Sequence, residues 1–246
     1  MTKRNKRKVV EDRWTKKLED GKQVKDDYEL KPPVVGLNES QKQFLKHLKT
    51  KTVVVFNAPA GVGKTFLTMC ETTDWLKKGY YEKMVIARPN IVMGRTLGAL
   101  KGDMAQKYEP LLMPMIEVIK QRYGKGFYDS SLHNGTIEPA PLEYIRGRNF
   151  SYITVIDESQ LTTPDEMYTI LTRMADGGKL ILLGDPTQKD QKGMDGITWL
   201  MDFVKRHSLE HIVGYTEATS DDIERGGLCK AVVKAKEKDR LSGFIG

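Results

Sequence analysis

Beyond residue 34 the chain alternates between two textures. Short apolar, β-branched runs recur at 52–56, 84–87, 151–156 and 179–183, with a last one near 210–215. An apolar run without polar alternation suits a strand buried on both faces. The stretches between them space their apolar residues three and four apart. Residues 39–49 place Phe44, Leu45 and Leu48 on one side, and 65–78 carry Leu67, Met69 and Trp75. Residues 103–123, 164–176 and 194–206 read as further helices. Pro110 and Pro114 predict a break in the first of these, and Pro164, Asp165 and Glu166 suit a first turn of the second. Strand–helix alternation predicts an α/β fold, a mostly parallel sheet with helices on both faces.

Two segments fall outside this rhythm. Residues 124–150 hold Gly124, Gly126, Gly135, Pro139, Pro141 and Gly147, and are expected to form an irregular insertion, either a hairpin or a long loop. Residues 1–35 are polar, with one short amphipathic stretch (Val9, Val10, Trp14, Leu18) before Lys31-Pro32-Pro33 interrupts. They read as a basic arm and linker ahead of a domain at 36–246. The arm holds 11 Lys/Arg against 7 Asp/Glu and so carries much of the net charge of +7. Such an arm either binds a polyanion or solubilises the chain.

Composition narrows the class. With 246 residues, 39% hydrophobic and 30% charged, the chain suits one soluble core. No apolar run nears the roughly 18 residues of a membrane helix, and the first residues lack the apolar stretch of a secretory signal. Cys70 and Cys229 have no metal-ligand spacing and are expected to be free thiols in a cytoplasmic protein.

The chemistry begins where the first strand meets the second helix. Ala58-Pro59-Ala60-Gly61-Val62-Gly63-Lys64-Thr65 follows the P-loop pattern, with Ala58 in place of its first glycine. Gly61 and Gly63 let backbone amides turn inward around phosphate, and the helix N-terminus adds partial positive charge. Pro59, Ala60, Gly61, Val62, Gly63, Lys64, Thr65 and Phe66 are therefore the expected nucleotide-binding residues. Lys64 would reach the β- and γ-phosphates of ATP, and Thr65 would ligate Mg2+. The run 152–156 then ends in Asp157 and Glu158. On a neighbouring parallel strand, Asp157 would hold the magnesium and Glu158 would activate the attacking water. Leu182-Leu183-Gly184-Asp185-Pro186-Thr187-Gln188 ends the next strand. There Gln188 would sense the γ-phosphate, or the segment is an ordinary Gly-Asp-Pro turn. Ahead of the first helix, Gln41 would read an adenine edge, while Asn38 or Ser40 would cap the helix.

Taken together these four sites resemble superfamily 1 helicases, with Asp157-Glu158-Ser159-Gln160 as the acidic box. A narrower resemblance is to the PhoH family. It rests on Arg88-Pro89, Leu97-Gly98, Leu100, Gly102-Asp103, Lys107 and Pro110. It continues through Ile137-Glu138, Pro141-Leu142, Tyr144, Arg146-Gly147-Arg148, Thr162-Thr163 and Leu171-Thr172-Arg173. It runs over about 37–230. Arg95 and Lys101 depart from it, standing where the family usually has Glu and Pro. The resemblance implies a RecA-like P-loop core that binds and hydrolyses ATP, with a link to single-stranded RNA or DNA and a hexameric ring. A small core of this kind would suit a phage or bacterial genome, in the former case acting in the host cytoplasm.

One RecA-like core lacks the second domain that closes over ATP in those helicases. A charge-stabilising arginine is worth about 10³–10⁵ in rate, so a neighbouring subunit of a homo-oligomer is expected to supply it. Arg173 and Arg225 are the candidates, the latter resembling a late family motif; each alternatively pairs with nearby acids. Arg88, Arg146 and Arg148 are the candidates for nucleic-acid contact, or else bridge core elements or ATP phosphates. No acidic cluster precedes residue 36, so no intrinsic nuclease is expected. Two functions remain: a helicase-like motor or remodeller of single strands, and a nucleotide-dependent assembly switch acting on a protein partner.

Overall fold

The computed structural model describes residues 29–89, 104–188 and 193–243, with the backbone alone for 104–107. The arm residues 1–28, and Arg95, Leu97, Gly98, Leu100, Lys101, Gly102 and Asp103, lie outside the described residues.

Seven α-helices and six strands are described. In order they are α1 (Glu39–Thr50), β1 (Val53–Asn57), α2 (Lys64–Lys77), β2 (Met84–Arg88), α3 (Met104–His133), β3 (Ile137–Pro141), α4 (Leu142–Arg146), β4 (Ile153–Ile156), α5 (Pro164–Thr172), β5 (Lys179–Gly184), α6 (Gly196–Arg206), β6 (Val213–Glu217) and α7 (Gly227–Leu241). Short 3-10 turns cover Ser159–Leu161 and Ser220–Asp222. The strands form one sheet in the order β3-β2-β4-β5-β1-β6, every pair parallel. This is the RecA-like α/β fold.

Parallel sheets are covered on both faces, which explains the continuous apolar runs. Side chains alternate across the sheet. Val54, Phe56, Ile86, Val155 and Ile181 pack with α1, α2 and α3, whereas Val53, Val55, Val85, Leu180 and Leu182 pack with α4, α5 and α6. Local chemistry sets the helix starts. Asn38 caps α1 through its side chain, Asp195 caps α6, and Thr163 with Glu166 forms a capping box behind Pro164.

Two expectations are corrected. Helix α3 runs through Pro110 and Pro114 and bends instead at Gly124 (φ 86°, ψ 163°). Buried Leu112, Met115, Ile116, Ile119 and Tyr123 anchor it to the core, which offsets the roughly 3 kcal/mol that an internal proline costs. Residues 124–150 are not an irregular insertion: they complete α3, then supply β3 and α4. Pro139 and Pro141 obscured β3 because proline cannot donate within a ladder. It is tolerated here because β3 is an edge strand. Helix α7 is an element the hydrophobic pattern did not announce, since none of its residues is fully buried.

Candidate nucleotide-binding site

In open parallel sheets, ligands sit beyond the C-terminal ends of the strands. Here β1 ends in the P-loop, β4 in Asp157-Glu158, β5 in Asp185 and β2 in Arg88. Register fixes their proximity: Asn57 pairs with Gly184, Ile156 with Leu182, and Ala87 with Ile156. A cleft of about 840 Å3 opens there, bordered by Lys64, Thr65, Arg88, Asp157, Glu158 and Gln188 among others.

The loop takes its shape from its glycines. Gly61 and Gly63 have φ of 89° and 90°, a region L side chains rarely adopt. A Cβ on Gly61 would also meet Cys229 Sγ at 3.0 Å and Arg225 Cβ at 3.1 Å. Lys64 Nζ donates to the carbonyls of Ala58 and Pro59. Burial pushes the Lys64 ammonium below its ordinary range, while Asp185, Asp157 and Glu158 act in the opposite sense.

Two of these acids, Glu158 and Asp185, are joined through Gln160 in one hydrogen-bonded chain. Glu158 accepts from Arg88 Nη2 at 3.3 Å on one oxygen and from Gln160 Nε2 at 2.7 Å on the other. Gln160 Oε1 accepts from the Asp185 amide at 3.0 Å. Asp185 in turn accepts from the Thr187 amide and from Gln188 Nε2 at 3.0 Å. Glu158 has φ 54°, one of two positive values at non-glycine residues among those described. Such conformations persist where the surroundings impose them. Burial, then the neighbouring Glu158 charge, raises Asp157 above the usual carboxylate range. The Asp157 carboxylate and the Thr65 hydroxyl border the same cleft and are hard-oxygen donors of the kind that fits Mg2+.

The predicted residues divide. Lys64, Thr65, Phe66, Asp157, Glu158, Gln188 and Arg225 border the cleft, as does Arg88. Arg88, considered above for nucleic acid or ATP phosphates, turns to Glu158. Arg225 sits on its own loop, its amide donating to the Gly61 carbonyl at 3.2 Å. Arg173 lies at the opposite, N-terminal ends of the strands, where its carbonyl accepts from the Phe150 amide just before β4. Arg146 pairs with Glu166, and Arg148 with Glu138, whose carboxyl also meets Lys83. Burial raises Glu138, but these two cations outweigh it and hold the carboxyl below its ordinary range. Gln41 is buried with its amide turned to the loop. It donates to the Val62 carbonyl at 2.9 Å and accepts from the Leu37 amide at 2.7 Å. Gln160 and Asp185 carry no role that their local sequence announces. Both stand inside quoted motifs, and only the packing of β4 against β5 joins them.

A family profile described as PhoH-like protein matches residues 33–237. The chain belongs to the PhoH family. Among PhoH relatives, the PhoH-like protein of Bacillus subtilis strain 168 is 33% identical over 204 residues, covering 80% of this chain and 62% of its own length. Protein PhoH of Escherichia coli K12 is 30% identical over 207 residues, 82% of this chain and 58% of its own. The chain thus spans about three fifths of the length of these PhoH proteins. The crystal structure of the HK97 bacteriophage large terminase aligns with 95% of this PhoH chain and 52% of its own, with TM-score 0.53 and 14% identity. At that identity the likeness is one of fold.

Proposed function

We propose that this PhoH protein binds ATP with Mg2+ and hydrolyses it, coupling turnover to movement or remodelling of single-stranded RNA or DNA in the cytoplasm. The observation that carries the reading is the chain from Glu158 through Gln160 to Asp185 and Gln188, set beside the P-loop. The loop amides and Lys64 would cradle the phosphates. Thr65 and Asp157 would hold Mg2+, which supplies charge neutralisation on the phosphates. Glu158 takes a proton from water as its oxygen forms the new bond to the γ-phosphorus, and the bond to the bridging oxygen of ADP breaks. Asp185 and then Gln188 continue this chain beyond Gln160, so loss of the γ-phosphate would be felt on β5 as well as β4.

The net charge of +7 and the lysines of α7 (Lys230, Lys234, Lys236, Lys238) supply the electrostatics for a polyanion. Among the described residues, no helix is long and apolar enough to cross a membrane. Arg225 serves its own site, and Arg173, at the ends of the strands away from the cleft, suits a neighbour's site in a ring, with six subunits as our reading of the family resemblance. A second reading is favoured by the exposed Leu228 and Val232 on α7: ATP sets assembly state and a protein is the target. The deciding experiment is ATP hydrolysis at low salt with and without single-stranded RNA and DNA. Stimulation that fades as salt rises supports the motor; indifference to both polymers supports the switch.

A further inference from the structure

We infer that Gln41 braces the phosphate loop and does not read the base, so that the cleft accepts nucleoside triphosphates with little regard to which base they carry. This deepens the nucleotide reading above and rests on it.

Gln41 is only 3% exposed, and both ends of its amide are engaged. The nitrogen holds the Val62 carbonyl from below. A Cβ added at Gly63 would come within 3.4 Å of that nitrogen, so little space separates the amide from the loop. The oxygen accepts the Leu37 amide at the entrance to α1. Turning to a base would strip the Leu37 amide and the buried Val62 carbonyl of their partner, and a buried group left unpaired loses as much as a new contact gains. The same helix start is locked from a second direction. Asn38 caps α1 and donates to the Asp222 carbonyl and to Glu224, which precedes Arg225 at the loop.

The cleft that Gln41 borders has apolar walls, among them Val34, Val35, Leu37, Phe66 and Val118. Leu37 is 71% exposed and Phe66 49%. Apolar and aromatic walls hold any base through its face, and such stacking is tolerant of identity. The polar side chains of α3 that border the cleft discriminate poorly. Arg122 is committed to Asp74 and to the Pro32 carbonyl. Glu117 and Gln121 are exposed, and a solvated amide can present its donor or its acceptor. Discrimination of about 10⁴–10⁵ needs buried polar groups built to match the substrate, which shape alone does not provide.

The test is displacement of a ribose-labelled fluorescent ATP analogue from the full chain by Mg2+-ATP, GTP, CTP and UTP. Affinities within about tenfold of one another are expected, the scale of apolar discrimination; a larger preference for ATP overturns the proposal. Gln41→Ala should weaken all four by a common factor and leave their ratios unchanged. Selective loss of ATP would show that Gln41 reads adenine, and the proposal falls. Should that variant fail to fold, the wild-type series decides alone. If none of the four displaces the probe, the reading of the cleft itself fails and this proposal with it, whereas displacement by ATP alone removes only the base tolerance.

Discussion

Replacing Asp74 by alanine isolates the contact that anchors α2, the helix whose first turn carries Lys64 and Thr65. Asp74 accepts from Arg122 Nε at 2.9 Å and Nη2 at 2.7 Å, and from the Tyr123 hydroxyl at 2.8 Å. The side chains are 5% and 13% exposed for Asp74 and Arg122. The hydrogen bond to Asp74 holds the Arg122 guanidinium above its ordinary range, against its own burial. Removing one partner of a buried pair costs roughly 3–5 kcal/mol, because the other is left uncompensated. Arg122 keeps the Pro32 carbonyl and some access to water, which places Asp74→Ala near the low end, at about 3 kcal/mol. For a chain of this size that is a fall in Tm of roughly 6–12 °C. Urea unfolding followed by tryptophan fluorescence measures the loss, with buried Trp75 adjoining the site. Arg122→Ala and the double variant complete a cycle whose losses should be less than additive. A loss below about 1 kcal/mol would class the pair with exposed ion pairs and refute the reasoning.

Further outcomes follow from the site. Glu158→Gln should keep nucleotide affinity and lose about 10²–10⁴ in turnover, the usual scale of general-base catalysis; undiminished turnover in a steady-state assay removes Glu158 as the base. Mixing Arg173→Ala with Lys64→Ala subunits should restore ATPase activity if Arg173 acts across an interface. The same mixture made with Arg225→Ala should stay inactive, because Arg225 rests on its own loop; recovery there would contradict a role in cis. Asp157 has its pKa raised above 3.8 by burial and then by Glu158. The native state therefore holds a proton that the unfolded chain has released. Without metal, stability should fall as pH rises through the window above 3.8, while affinity for Mg2+ rises. Calorimetry across that window tests both signs, and Asp157→Asn should flatten them.

Several residues show how far the sequence carries an argument here. The P-loop was legible because its spacing is local: the glycines, Lys64 and Thr65 act through the backbone that holds them. The six covered strands were less evenly legible. Five announced themselves by β-branched runs, whereas β3 hid behind Pro139 and Pro141, whose tolerance depends on standing at a sheet edge. Helix α7 hid for a different reason. It leans on the loop through Cys229 and Val233 while Leu228 and Val232 stay in water, so its pattern is weak.

The sequence by itself determined the family, the α/β alternation and the acids that follow β4, because each is written in short-range spacing. Tertiary structure decided what the long side chains do. Gln41, Arg88 and Arg225 each had more than one plausible partner along the chain. The parallel register of β2, β4, β5 and β1 chose among them for Arg88. For Gln41 and Arg225 the choice came from packing onto Val62 and Gly61. Hydrogen-bonding side chains of this length reach in many directions, and only the placement of distant backbone leaves one of them satisfied.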